Sequence, residues 1–206
     1  RPPLPHSRAG RLAPVLASTG GGSHVALFSY YALLNAGVFG IAWFRAWRPL
    51  NVLGFLFTFG IGSLWGSRNY TDALFATTEP FLALFFLLYL AVSVLYAGRR
   101  QAEAGRYAIH LGGERIDYVD GTLVFGTPLA AFGRQSLWVR NMPLGSAYSA
   151  LALGLVYLPL ASVIHRRRPE FRLLVESFLA LGVIFASLAI PLGLDAKWTS
   201  AAWAAE

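Results

Sequence analysis

The sequence predicts an all-α fold, a polytopic transmembrane helical bundle of about six spans. Of its 206 residues, 56% are hydrophobic and only 13% are charged, whereas soluble domains carry about 25% charged residues. The apolar residues form six long runs nearly free of charge, and short loops rich in arginine separate them. About 20 apolar residues cross the hydrocarbon core as a helix, and lipid leaves the backbone polar groups of any open structure unsatisfied.

The six predicted spans follow one another along the chain: Val25–Phe44, Val52–Gly66, Phe81–Ala97, Tyr118–Val139, Ser146–Ile164 and Arg172–Leu194. Ser23 has the residue type of an N-cap for the first span, and Pro80 fits the first turn of the third. We expect residues 1–22 to be a polar N-terminal tail and residues 23–197 to form the bundle. Residues 198–206 are expected to begin a further segment of a longer protein.

Arginine and lysine are distributed unequally between the two sides of the predicted bundle. One side holds ten of them: Arg45, Arg48, Arg99, Arg100, Arg106, Arg115, Arg166, Arg167, Arg168 and Arg172. The other side holds six: Arg1, Arg8, Arg11, Arg68, Arg140 and Lys197. Because cytoplasmic loops carry the excess of positive charge, the first side is predicted to be cytoplasmic. Its longest loop, Gly98–Asp117, is interpreted as a solvated connector or a contact with anionic lipid.

Small residues recur every fourth position in the second span, at Gly54, Thr58, Gly62 and Gly66. At helical spacing they form one stripe, which predicts close packing against another helix. The alternative is a narrow polar path lined by backbone, as in some transporters. In the fourth span, Pro128 lacks an N–H donor, which predicts a kink or a broken helix.

Five polar residues are predicted at the outer face and form the candidate outer-face polar site: His24, Asp72, Glu79, Arg134 and Asp195. A charge inside a span costs about 2.5–3.5 kcal/mol on insertion scales, so Arg134 is expected to approach one of the three acids. Such a site could bind an anionic headgroup or a sugar, or perform acid–base chemistry. The alternative is a set of structural ion pairs and side chains that reach toward the interface.

Four further residues are candidate polar groups within the membrane: Asn35, Asp120, Thr127 and Glu176. Asp120, Thr127 and Arg134 are seven positions apart and share one helix face. Asn35 is expected to make an interhelical hydrogen bond. Glu176 lies one turn after Arg172, which predicts an i,i+4 ion pair, and a proton-relay role is the alternative.

Several motifs are absent from the sequence, so an ATPase, a serine hydrolase or a zincin would need parts outside it. There is no cysteine, hence no disulfide and no thiolate nucleophile. No phosphate-binding Gly-Lys-Ser/Thr loop, Gly-x-Ser-x-Gly elbow or His-Glu-x-x-His motif occurs. The net charge of +7 resides in loops where topology requires it, so no nucleic-acid partner is predicted. No metal and no cofactor are predicted, and whether the chain is an enzyme stays open.

Long uncharged phrases of the sequence are similar to one known family. They are LAPVLASTGGGSHVALFSYYALLNAGVFGIAWFRAWRPLNVLGFLFTFGIGSLWG (Leu12–Gly66), LFATTEPFLALFFLLYL (Leu74–Leu90), YVDGTLVFGTPLAAFG (Tyr118–Gly133) and LDAKWTSAAWA (Leu194–Ala204). The chain resembles a fragment of the bacterial predicted membrane proteins called domain of unknown function family 2339. The N-terminal RPPLPHSRAGR is more polar than the family pattern.

The resemblance implies a multi-pass location in the bacterial cytoplasmic (inner) membrane, with further transmembrane segments of a larger protein as neighbours. It brings no catalytic residues. Three hypotheses remain. The first is transport or flipping of an envelope or lipid-linked precursor, which predicts polar groups at several depths. The second is a membrane-embedded transferase acting on a lipid-linked substrate, which predicts carboxylates and histidine within reach at the outer face. The third is a non-catalytic envelope scaffold, which predicts paired charges and no cavity.

Overall fold

The computed structural model describes residues 23–44, 48–107, 118–169 and 171–204. Side-chain environments are described for these residues except 42, 48, 96–107, 118–120 and 195–204. The described chain forms six helices: α1 His24–Phe44, α2 Arg48–Asn69, α3 Phe75–Tyr107, α4 Tyr118–Trp138, α5 Gly145–Arg167 and α6 Arg172–Ala204. A 3-10 turn, Asp72–Leu74, precedes α3. The described residues contain no strand, which confirms the predicted all-α fold.

Five of the helices contain segments long and apolar enough to cross a membrane: His24–Ile41, Pro49–Asn69, Asp72–Leu95, Gly145–Arg167 and Arg172–Leu194. The fourth predicted span, now α4, is outside this group because polar residues such as Arg134 and Gln135 lower its hydropathy. It nevertheless packs against α2, α3 and α5. The arrangement is consistent with about six spans.

Helices α2 and α3 are longer than the sequence predicts. Helix α3 begins at Phe75, so Pro80 occupies its sixth position and not its first turn. Near this start, Thr78 Oγ1 donates to the carbonyl of Leu74 at 2.9 Å, which satisfies the threonine hydroxyl inside the helix. Helix α3 then continues to Tyr107. The predicted connector Gly98–Asp117 is therefore helical in its first half, and residues 108–117 lie outside the described chain.

Helix α4 is continuous through Pro128. A broken helix, one of the two expectations for this span, is therefore not formed. Pro128 is fully buried, so neighbouring helices surround the turn in which it removes a hydrogen bond. Transmembrane helices tolerate proline when the surroundings hold the helix in this way.

The bundle has two ends because successive helices run in opposite directions. The end that contains His24, Asn69, Phe75, Trp138 and Gly145 is called the His24 end, and the opposite one the Phe44 end. Hydrogen bonds join separate segments at the His24 end, including Tyr70 Oη to the Trp138 carbonyl at 3.2 Å. In the predicted topology the His24 end faces outward.

Helices α3 and α4 lie between two groups of helices. Helices α1 and α2 pack on one side, and α5 and α6 form the most extensive helix pair on the other. One apolar core joins α3, α4, α5 and α6, and a smaller one joins α2, α3 and α4 around Phe55 and Tyr89. Large apolar side chains cover the outside, among them Leu33 and Leu155. Soluble monomers rarely expose such continuous apolar surface, whereas lipid accommodates it.

Candidate functional site

A hydrogen-bonded network joins α1, α2 and α3 halfway through the bundle. Asn35 Nδ2 donates to Thr58 Oγ1 at 2.8 Å and to the Tyr31 carbonyl at 2.8 Å. Tyr89 Oη donates to Asn35 Oδ1 at 2.5 Å. Asn35, Thr58 and Tyr89 are all buried. The expected interhelical bond of Asn35 is confirmed, and each polar group of the network is satisfied inside the apolar region.

The small residues of α2 make room for polar ends of side chains. A Cβ added at Gly54 would lie 2.9 Å from Tyr89 Oη. A Cβ added at Gly66 would lie 3.0 Å from Arg134 Nη1 and 3.4 Å from Trp138 Nε1. The predicted stripe of small residues on α2 therefore faces polar groups of α3 and α4 at two depths. Its glycines make room for these groups as well as for close packing of helix backbones.

A cavity of about 30 Å³ lies beside this stripe, between the central network and the His24 end. Its walls come from all of α1 to α4 and are mostly aromatic and aliphatic, with Phe28, Phe59 and Phe81 among them. Its polar walls include Thr58, Ser63 and Arg134. A space of this volume admits about two water molecules, so in this conformation it is too small for a lipid headgroup.

Arg134 lies at the cavity without an acidic partner among the side chains that the structure describes. Its Nε is buried and makes no hydrogen bond within the described chain. The expectation that Arg134 pairs with Asp72 or Glu79 is wrong, because the next residue, Gln135, faces α3 instead. Gln135 Nε2 donates to Glu79 Oε1 at 3.0 Å. Successive helical residues point about 100° apart, so Arg134 is directed toward Gly66 of α2.

The remaining residues of the predicted outer-face set have separate partners. Asp72 Oδ2 accepts from Asn141 Nδ2 at 3.0 Å. His24 Nε2 lies 2.8 Å from Thr77 Oγ1, and its ring lies 5.6 Å from that of Trp65. His24, Asp72, Glu79 and Arg134 thus share one end of the bundle without converging on one point. Asp195 lies in α6, and its side chain is outside the described set.

The candidate polar residues within the membrane differ in their surroundings. Thr127 is buried, and its Oγ1 has no partner among the described residues. Glu176 is exposed at the Phe44 end and makes no ion pair with Arg172 in the described chain. That expected pair is absent because both side chains are exposed, where ion pairs gain little. Asp120 lies in α4 with its side chain outside the described set.

Sequence reasoning missed several polar residues that the fold brings into the interior. Trp138 is 5% exposed with Nε1 unpartnered, and Asn51 is 1% exposed with both amide atoms unpartnered in the described chain. Gln135 and Asn141 bind two of the three acids of the predicted set, Glu79 and Asp72. Gln135 and Trp138 could have been found from the sequence, because they follow Arg134 within about one helical turn. Nothing in the sequence links Asn141 to Asp72.

Tyr70 connects the α2–α3 turn to the end of α4. Its ring stacks on Trp138, with centroids 5.0 Å apart and planes 7° apart. Burial raises the pKa of Tyr70, and the Asp72 and Glu79 carboxylates raise it further. Tyr70 therefore stays protonated and keeps donating to the Trp138 carbonyl. This contact fixes the indole whose Nε1 faces Gly66.

The side chains at the His24 end provide hydrogen-bond donors beside an apolar cavity wall. Among the described residues, no group of three His, Cys, Asp or Glu side chains could hold a metal ion. Chemically, the His24 end can bind an acceptor through Arg134 and Trp138. The Thr77 hydroxyl lies beside the His24 imidazole, but it donates to the Leu74 carbonyl at 2.9 Å, so its proton is directed away from the histidine.

Comparison with known proteins agrees with the membrane architecture. No curated protein and no solved structure matches the chain. The model of one family, described as "Predicted membrane protein (DUF2339)", matches residues 8–206. The chain therefore belongs to this family of predicted membrane proteins of unknown function.

Proposed function

We propose that α1 to α4 form a membrane transport unit that moves an amphiphilic envelope or lipid-linked precursor across the bilayer. The observation that carries the proposal is a series of polar groups inside the bundle at three depths along α2, two of them buried and the third, Arg134 of α4, half-buried. Asn51 is near the Phe44 end, Thr58 is halfway, and Gly66 faces Arg134 near the His24 end. Polar groups inside a membrane are costly and commonly line substrate paths.

The two competing hypotheses fit the described residues less well. A scaffold requires paired charges and no cavity, whereas Arg134 has no acidic partner in the described chain and borders a cavity. A transferase requires a carboxylate and a histidine within hydrogen-bond reach. His24 instead contacts Thr77, and Glu79 contacts Gln135.

In a transport cycle the central network would act as the closed point of the path. The Asn35, Thr58 and Tyr89 side chains join three helices between the cavity and Asn51. Transporters expose a central site to each side in turn. The described conformation then corresponds to a closed state, and transport requires these hydrogen bonds to open.

The absence of cysteine from the sequence allows a direct test. Single cysteines are placed at Ser63, beside the cavity, and at Asn51, and the protein is treated in sealed membrane vesicles with a membrane-impermeant methanethiosulfonate reagent. We expect Ser63→Cys to react from the side of the His24 end and Asn51→Cys from the opposite side. Ala150→Cys, at a buried α5 position, is the matched control and should stay unreacted.

The three hypotheses predict different labelling. Reaction at both positions, each from its own side, supports a path. Reaction of Ser63→Cys alone supports a site open to one face, as in a transferase, and contradicts transport. Reaction at neither position contradicts both the transport and the transferase hypotheses and leaves the scaffold hypothesis.

A further inference from the structure

Two hydrogen-bond donors that lack partners among the described residues meet at Gly66. Arg134 and Trp138 are four residues apart on α4, so their side chains lie on one helix face. Arg134 Nη1 and Trp138 Nε1 both lie within 3.4 Å of the position that a Cβ would occupy at Gly66. Arg134 Nε and Trp138 Nε1 are buried and make no hydrogen bond in the described part of the chain.

These donors cannot satisfy each other. The guanidinium and the indole N–H donate and do not accept, and a buried donor without a partner is costly. Two acids of the same end have other partners, Glu79 Oε1 with Gln135 and Asp72 Oδ2 with Asn141. Glu79 Oε2 is buried and unpartnered as well, but no hydrogen bond joins it to Arg134 or Trp138 in the described chain. A ligand from another molecule can supply an acceptor for both donors, and the permanent positive charge of Arg134 favours a negative one.

We propose that Arg134 and Trp138 bind a phosphate-type oxyanion in the space that Gly66 leaves open. Arginine and indole N–H groups suit oxygens spread over an anionic group. The adjoining cavity has apolar walls, which include Phe28, Phe59 and Phe81. It must widen beyond its volume of about 30 Å³ in the closed conformation to admit the anion and an apolar chain attached to it. The inference rests on the proposed function and names its substrate class. The oxyanion belongs either to a lipid headgroup or to free phosphate.

The test measures anion binding by the full chain in phosphatidylcholine nanodiscs. The midpoint of thermal unfolding is followed in two arms, one with inorganic phosphate against chloride at constant ionic strength, the other with a rising share of phosphatidylglycerol. We expect a saturable rise in at least one arm, because a ligand that binds the folded state stabilises it. A rise with phosphate identifies a free anion, and a rise with phosphatidylglycerol alone identifies a headgroup.

Matched variants assign the binding to this site. Arg134→Gln should weaken binding about tenfold or more, since it removes a charge-assisted hydrogen bond. Trp138→Phe keeps a ring and removes Nε1, and should weaken binding about fivefold. Gly66→Ala fills the space between the donors and should also weaken binding. Arg140→Gln, an exposed arginine of the same end, and Gly60→Ala, with nothing within 4 Å of the added Cβ, should bind as the wild type does.

Two results would overturn the site: no rise in either arm, or a rise that Trp138→Phe and Gly66→Ala leave unchanged. These two variants decide the question even where Arg134→Gln does not fold. Binding and transport can fail separately. Cysteine labelling at both ends without anion binding would support the transport path and contradict the proposed substrate class. Anion binding without labelling would support the binding site and contradict transport.

Discussion

Helices α5 and α6 and helices α1 to α4 use glycine in opposite ways. In the α5–α6 pair, a Cβ at Gly154 would meet the backbone of Ala186 at 3.2 Å, and one at Gly182 would meet Leu158 Cγ at 2.7 Å. There glycine lets two helices pack closely. In α2, by contrast, a Cβ at Gly54 or Gly66 would meet a polar end of a side chain.

The difference also appears in the buried polar atoms. Within the described part of α5 and α6, only Tyr157 Oη is buried without a partner. In α2 to α4 the unpartnered atoms belong to Asn51, Glu79, Thr127, Arg134, Gln135, Ser136 and Trp138. Unsatisfied polar groups of this density are unusual in a unit built for stability alone. The comparison supports a stabilising role for the α5–α6 pair and is in line with the transport path proposed along α1 to α4.

The largest expected effect tests whether α5 and α6 depend on close contact. Gly182→Ala should lower the free energy of unfolding by about 1–3 kcal/mol, because the new methyl group overlaps Leu158. Gly60→Ala, with nothing within 4 Å of the added Cβ, should be neutral or raise stability by up to about 1 kcal/mol through helix propensity. Denaturant titration in mixed micelles measures both. Equal destabilisation by the two variants would contradict the assignment.

The next effect tests whether glycine in α2 accommodates a polar group. Gly54→Ala should push Tyr89 Oη away from Asn35 and lower the free energy of unfolding by about 1–2 kcal/mol. In the Tyr89→Phe background the same substitution should cost clearly less, since no hydroxyl remains to overlap. A double-mutant cycle measures this coupling. If the two substitutions are additive, the contact between Gly54 and Tyr89 does not explain the glycine.

A pair of buried tyrosines sharpens the comparison further. Tyr89 and Tyr157 are both 0% exposed, but only Tyr89 has hydrogen-bond partners in the described chain. Tyr89→Phe should cost about 0.6 kcal/mol, the average for hydrogen bonds between membrane helices. Tyr157→Phe should leave stability unchanged or raise it, because the hydroxyl it removes is buried and unpartnered. Both are measured by the same titration, and a larger loss in Tyr157→Phe would reverse the assignment.

The smallest expected effect concerns the α2–α3 turn. Tyr70→Phe removes the bond to the Trp138 carbonyl and should cost about 0.5 kcal/mol. Because the pKa of Tyr70 is raised above the ordinary 10.0, its contribution is complete below pH 10.0 and is lost as pH rises through the higher folded-state pKa. Unfolding titrations across this range should show a larger loss in the wild type than in Tyr70→Phe, in which only the other tyrosines titrate. The same loss in both would assign it to another group.

Much of the fold could be predicted because membrane helices obey local rules. The apolar runs predicted six helices, and the structure has them, since lipid leaves no alternative to helical backbone pairing. Helix ends were harder. The first residues of α3 include Thr77, Thr78 and Glu79, and a hydropathy pattern does not assign polar residues to a span. The continuity of α4 through Pro128 likewise depends on the helices around it.

The sequence by itself determined the helical class, the positions of the spans and the presence of an arginine within one of them, because each depends on residues close together along the chain. It also identified the α2 stripe, the Asn35 hydrogen bond and the end of the bundle where polar residues collect. Only the tertiary structure decided which groups meet: Gln135 with Glu79, Asn141 with Asp72, and Arg134 with Trp138 at Gly66. The physical reason is that the rotation of each helix about its axis is set by packing against its neighbours, and a rotation of about 100° exchanges Arg134 for Gln135.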